Sequence, residues 1–263
     1  MLIKTKDLKD FKLNSLDGEL GKVKEFYFDD QYWTIRYMIA NTGSWLTGRK
    51  VLLSPNSITS INKEDEYINM NLTKNQIENS PSLDSDKPVS RQFEEKFYGY
   101  FQLPMYWGGM EMGGTGGAFI PYPILDNEKE MLMKSTKDKD KWDPHLRSSQ
   151  NVSGYNIQGL DDMIGHVDDF IIDDETWEIR YLIIDTQNWW PGKKILLAPQ
   201  WIDNVSWEES KVFVNFKCED IKQSPEYTEE SILNRDFETS LYQHYNREGY
   251  WHAGSDVSNN FVK

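Results

Sequence analysis

Two pairs of adjacent acids, Asp29-Asp30 and Asp173-Asp174, are the residues of this chain best suited by type to chemistry. Neighbouring carboxylates are hard oxygen donors of the kind that hold Ca²⁺ or Mg²⁺. The run DDETWE at 173–178 nevertheless lacks the spaced acids and central glycine of a calcium loop. A turn closed by local side-chain hydrogen bonds, or ion pairing with Arg36 and Arg180, accounts for the same acids without a cation. No metal and no cofactor are therefore expected, and these four aspartates stand as the candidates if a cation binds. The other ingredients of catalysis are scattered. The four histidines, His145, His166, His244 and His252, share no metal-ligand spacing. Cys218 is the single cysteine, which excludes an internal disulfide and a Cys-rich zinc site. Neither a nucleophile elbow nor a phosphate loop occurs, and the glycines at 113–117 lack a following Lys-Ser/Thr. No catalytic residue is assigned.

Recognition chemistry is better represented. The turn GSWLTG at 43–48 carries Trp45 and Leu46 and leads into Arg49, and QNWWPG at 187–192 carries Trp189 and Trp190 and leads into Lys193. Turns are normally polar, whereas aromatic and arginine side chains concentrate at the centres of protein interfaces. Trp45 and Trp189 occupy matching places and can equally fold back over their own unit. Trp190 has no such match and suits an external protein partner.

The chain that must position these residues has 263 of them and a formal charge of −14. At roughly 150 residues per domain this is one or two domains. The acidic balance opposes direct nucleic-acid binding, which needs clustered Lys and Arg against phosphate. No run reaches the roughly 18 to 20 apolar residues of a membrane span. The opening MLIKTKDLKDFKL has no continuous apolar stretch to act as a signal peptide. A cytoplasmic location is expected.

Sliding the sequence against itself by 144 positions exposes a duplication. Between Gly21/Gly165 and Pro81/Pro225 the register holds without a gap, with 23 of 61 positions identical. The match extends upstream to Leu16-Asp17 and Leu160-Asp161. Downstream it passes through Arg91/Arg235, Glu94/Glu238 and Tyr98/Tyr242 to Tyr106-Trp107 and Tyr250-Trp251. Within each copy the periodicity is that of strands. Ile35–Ile39 and Ile179–Ile183 are apolar on both faces, 50–53 and 194–197 end at Pro55 and Pro199, and 67–72 and 211–216 alternate. Phe93, Phe97 and Phe101, repeated as Phe237, Leu241 and Tyr245, have helical spacing. Short strands in units too small for a sandwich point to a small barrel. The expected organisation is a first unit with its trailing helix at 1–107, a Gly/Met-rich then charged connector at 108–151, a second unit with its helix at 152–251, and a polar tail at 252–263.

Both copies contain Gly-x-Val with Phe three residues on, Asp-Asp, Trp-x-Ile-Arg-Tyr, a Thr after Asn or Asp, Trp before a Gly-basic-Lys turn, and Val/Ile-Leu-Leu-x-Pro. This pattern resembles the PRC-barrel family, and the tandem arrangement is similar to that of bacterial proteins with two such domains. The family includes the cytoplasmic domain of the photosynthetic reaction-centre H subunit and the C-terminal domain of a ribosome-maturation factor. What the resemblance implies is a mainly β fold of two small barrels in tandem, acting as a protein-contact module and not as a catalyst. A membrane helix like that of the H subunit has no match here. The expected function is a non-catalytic adaptor with a protein partner, folded as an internal pseudo-dimer that can also associate with further copies. A ligand- or cation-binding protein using the acidic turns, and an enzyme with a site at the junction of the barrels, are the alternatives.

Overall fold

A computed structural model describes residues 1–43, 45–46, 51–81, 89, 91–107, 145–186, 193–228, 231 and 234–252. The chain is mainly β. It opens with β1 (Leu2–Lys4) and a single helical turn, α1 (Thr5–Leu8). The first unit then runs β2 (Lys12–Ser15), β3 (Gly18–Asp29), β4 (Thr34–Asn41), β5 (Val51–Leu53), β6 (Ile58–Asn62), β7 (Tyr67–Met70), α2 (Lys74–Glu78) and α3 (Arg91–Phe101). The same order returns as β8 (Leu146–Ser148), α4 (Ser149–Val152), β9 (Asn156–Gln158), β10 (Met163–Asp173), β11 (Ile179–Asp185), β12 (Lys194–Leu197), β13 (Ile202–Ser206), β14 (Lys211–Val214), α5 (Cys218–Lys222) and α6 (Arg235–His244). Residues 146–151, expected in the connector, thus form the second unit's own opening strand and helical turn.

Each unit builds one seven-stranded sheet. The first is ordered β5-β4-β3-β2-β7-β6 and the second β12-β11-β10-β9-β14-β13. Neighbours are antiparallel except β2 with β7 and β9 with β14. Among the described residues β5 does not pair with β6, nor β12 with β13, so the hydrogen-bonded path stays open in both units. The seventh strand of each sheet comes from the other half of the chain. β1 pairs with β10, Leu2 opposite Asp173 and Ile3 opposite Ile172, while β8 pairs with β3, Leu146 opposite Asp29 and Arg147 opposite Phe28. These registers are identical once 144 is subtracted, so the exchange is reciprocal and two-fold.

The long strand makes this possible. β3 carries bulges between Val23 and Glu25 and between Tyr27 and Phe28, and β10 repeats both. Bulges bend a strand and raise its twist. One edge of β3 therefore serves β2 along its first residues and β8 along its last. Gly21 lies where β3 turns close over β4: it has φ +135°, and a Cβ there would sit 2.1 Å from the Asn41 carbonyl oxygen. Gly165 has the same role, 2.0 Å from the oxygen of Asp185. Only a residue without Cβ fits either place.

The two-faced strands read from the sequence are covered on both sides. Met38 and Ala40 of β4 enter the main core, whereas Tyr37 and Ile39 enter a second cluster under α3 with Phe97 and Tyr98. The main core is continuous through both units, with Phe28 and Phe170 rings 5.6 Å apart. The aromatic stripe of α3 packs as a ladder, Phe93 to Phe97 at 6.3 Å and Phe97 to Phe101 at 4.8 Å.

Candidate functional site

The acidic pairs are tied to the chain itself. Asp29 Oδ1 accepts the backbone N–H of Gln31 at 2.8 Å and of Tyr32 at 3.0 Å, and Oδ2 lies 3.4 Å from Arg36. Asp173 does the same with Glu175, Thr176 and Arg180. These bonds close the tight turn between the two central strands. The second acid of each pair holds the exchanged strand: Asp30 takes Arg147 Nε at 2.7 Å, and Asp174 takes the chain's α-amino group at 2.5 Å and Lys63 at 3.5 Å. Burial raises the Asp30 carboxyl from its ordinary value against the opposing pull of Arg147. Among the described residues no group of three or more His, Cys, Asp or Glu side chains is arranged to hold a metal ion.

A second carboxylate constellation is more deeply set. Glu94 of α3 is fully buried, and its Oε1 accepts the hydroxyls of Tyr37 at 3.0 Å and Tyr106 at 2.9 Å. His145 Nε2 lies 2.8 Å from Glu94 Oε2. In the second unit Glu238 receives Tyr181 at 2.7 Å and Tyr250 at 2.9 Å, and Arg235 lies at 3.1 Å. Arg36 lies over the Tyr106 ring at 3.6 Å and Arg180 over Tyr250 at 4.3 Å. Burial and the adjacent carboxylate push the Tyr37 and Tyr181 hydroxyls well above their ordinary range, so both remain donors. A buried carboxylate needs such donors. Each set fastens a trailing helix and the Tyr-Trp segment to its sheet. The identity of Glu94 and Glu238 between copies, at a polar place beside an apolar helical stripe, is the sequence signal that marks them.

The proposed contact residues divide. Arg49, Trp189 and Trp190 lie outside the described residues. Trp45 and Leu46 are half-buried and pack against the main core, and Lys74 Nζ lies 5.7 Å from the centre of the Trp45 ring. Lys193 Nζ donates to the carbonyls of Lys222 and Ser224, the end of α5, where cations suit the helix terminus. These described side chains therefore serve their own unit. Cys218 is buried, which pushes its thiol up to about 11 and away from thiolate chemistry.

Two further features among the described residues face solvent. At the β2–β3 hairpin, Leu16 is 66% exposed, and its equivalent Leu160 is 62% exposed. Both tips are pinned from behind. Leu16 N–H donates to Leu72 O and Leu160 N–H to Phe216 O, each at 2.9 Å, while Asp17 accepts the Lys74 amide at 2.8 Å and Asp161 that of Cys218 at 2.9 Å. Those amides hold both carboxyls below the usual aspartate range. The other feature is a cleft of about 510 Å³ in the first unit, between the turn at Pro55–Ser57, the end of β7 and the end of α3.

A scan against protein-family models and a search of curated proteins return no match to this chain. No helix among the described residues is long and apolar enough to cross a membrane.

Proposed function

We propose that this chain is a non-catalytic protein-contact module of the cytoplasm, built from two units of the PRC-barrel type. The observation that carries this reading is the pair Leu16 and Leu160. Each is a large apolar side chain left in water on a rigid, amide-pinned tip, and both copies have it. A single exposed leucine is ordinary. The same leucine at the same place in two diverged copies, with its backbone held by equivalent bonds, is what a duplicated contact point requires. The buried carboxylates support a structural role for the remaining polar chemistry, because their oxygens are taken up by tyrosine hydroxyls and by His145 or Arg235.

The test is cross-linked capture from the source cell, comparing the wild-type chain with Leu16→Asn plus Leu160→Asn. Both side chains are mostly exposed, so the double variant is expected to melt within about 0.5 kcal/mol of wild type. A partner recovered by wild type and lost by this folded variant upholds the reading. Equal recovery by both, or no partner from either with controls working, ends it.

A further inference from the structure

We propose that the cleft of the first unit is a binding site for a neutral aromatic ring of indole size, a reading independent of the leucine contacts. The second unit supplies the reason. Its equivalent of Ser57 is Trp201, whose ring is 5% exposed and lies 4.9 Å from Tyr242, 4.8 Å from Tyr245 and 6.2 Å from Phe216. In the first unit the equivalent positions are Tyr98, Phe101 and Leu72, and of these Phe101 and Leu72 line the cleft. The surrounding frame is also unchanged. Tyr100 donates to Gln76 O at 2.9 Å, just as a ring nitrogen of His244 lies 2.8 Å from Asp220 O. One unit thus carries its own indole in this space, while the other keeps the walls and omits the ring.

The lining settles the class of ligand. The apolar residues of the lining are Leu72, Phe101 and Leu103, and Asn56, Asn71, Gln76 and Gln102 bring carboxamides, groups that both donate and accept, with Gln76 Oε1 already accepting from Thr73. No lining residue is charged, so an ionic ligand would find no counter-charge. A volume of about 510 Å³ falls within the range of small-molecule sites, about 300–1,000 Å³. It exceeds a bare indole and leaves room for an attached amide. The shared chemistry is the ring; its source is either a free small molecule or a tryptophan side chain within a peptide.

The experiment titrates the full chain with indole, N-acetyl-tryptophanamide and N-acetyl-alaninamide, followed by amide chemical shifts. Saturable shifts around Ser57, Leu72, Tyr100 and Gln102 are expected with the first two probes and not with the third. Tighter binding of the blocked tryptophan assigns the ring to a peptide, and tighter binding of indole assigns it to a free molecule; either upholds the site. Ser57→Trp is expected to weaken binding at least about tenfold by occupying the space itself. Intermolecular NOEs from indole protons to Leu72 and Phe101 in the wild-type chain decide the matter should that variant not fold. Absence of saturation up to about 10 mM, equal shifts with the alanine probe, or binding untouched in folded Ser57→Trp would each overturn the proposal.

Discussion

Thr34 and Glu178 face each other in an isolated antiparallel bridge between the two units, and each is the other's equivalent in the duplicated sequence. Ile35 N–H donates to Trp177 O at 2.8 Å and Ile179 N–H to Trp33 O at 2.7 Å, again an exchange of equivalent positions. The internal two-fold axis therefore passes between Thr34 and Glu178. Trp33 and Trp177 both hold left-handed φ, 51° and 61°, a conformation that costs roughly 1–2 kcal/mol per residue. The paired bonds across the axis offset that cost. Contact made by one patch on itself is the isologous geometry of a two-fold dimer. Here both halves belong to one chain, so the pairing is intramolecular and independent of protein concentration.

The reciprocal strand exchange predicts that damage at the start of the chain appears in the far unit. Ile3 is buried and sits opposite Ile172 in the second sheet. Ile3→Ala is expected to cost about 2–4 kcal/mol by leaving a cavity. Native-state hydrogen exchange locates the loss: amides of β10 gain exchange while those of β2 and β7 retain protection. Loss confined to the first sheet would contradict the exchange.

Much of this architecture was legible beforehand, for reasons that can be named. The offset of 144 exposes the two units because 23 of 61 positions are identical, and two-face hydrophobicity over Ile35–Ile39 marks a strand covered on both sides. The exchange was not legible. Met1–Leu8 and His145–Val152 share almost no residues, because a strand held by backbone bonds and two or three buried side chains tolerates many sequences. For the same reason residues 146–151 read as connector. Asp29 and Asp173 were readable as turn acids with arginine partners, but Asp30 and Asp174 act on segments more than 100 residues away, beyond any local rule. The cleft was invisible for a different reason. It consists of a side chain that is missing, and only superposition of Ser57 on Trp201 shows what is absent.

The tyrosine–glutamate sets predict alkaline sensitivity. Burial raises Tyr242 and Tyr245 to about 12, and raises Tyr37 and Tyr181 further with the help of the adjacent glutamate. An unfolded tyrosine ionises near 10. Below pH 10 both states are protonated and the full stability is present. Above it the folded state holds more protons than the unfolded state, so stability falls as pH rises through the folded values. Urea midpoints measured from pH 8 to 12 are expected to stay level and then drop steeply. Tyr181→Phe removes one such proton, so its slope above pH 10 is expected to be shallower by up to about 1.4 kcal/mol per pH unit. At pH 8 the same change costs about 1–3 kcal/mol, because buried Glu238 loses a donor. An unchanged slope would show that Tyr181 titrates while folded.

The asymmetry between Ser57 and Trp201 predicts opposite outcomes for opposite substitutions. Trp201→Ser empties a space lined by Tyr242, Tyr245 and Phe216, and is expected to cost about 3–5 kcal/mol, the range for removing a large buried aromatic. The loss is tempered because Trp201 Nε1 has no hydrogen-bond partner in the native packing, so its removal orphans no acceptor. Ser57→Trp adds apolar contact to an existing cleft and is expected to hold or raise the melting temperature. Indole added to Trp201→Ser binds only the folded state and restores stability in proportion to the logarithm of its concentration once above its dissociation constant. Scanning calorimetry of the two variants, with and without indole, checks all of this in one series. A cost below about 1 kcal/mol for Trp201→Ser would mean that the second unit closes over the gap. The walls of the first unit's cleft would then owe nothing to an aromatic occupant.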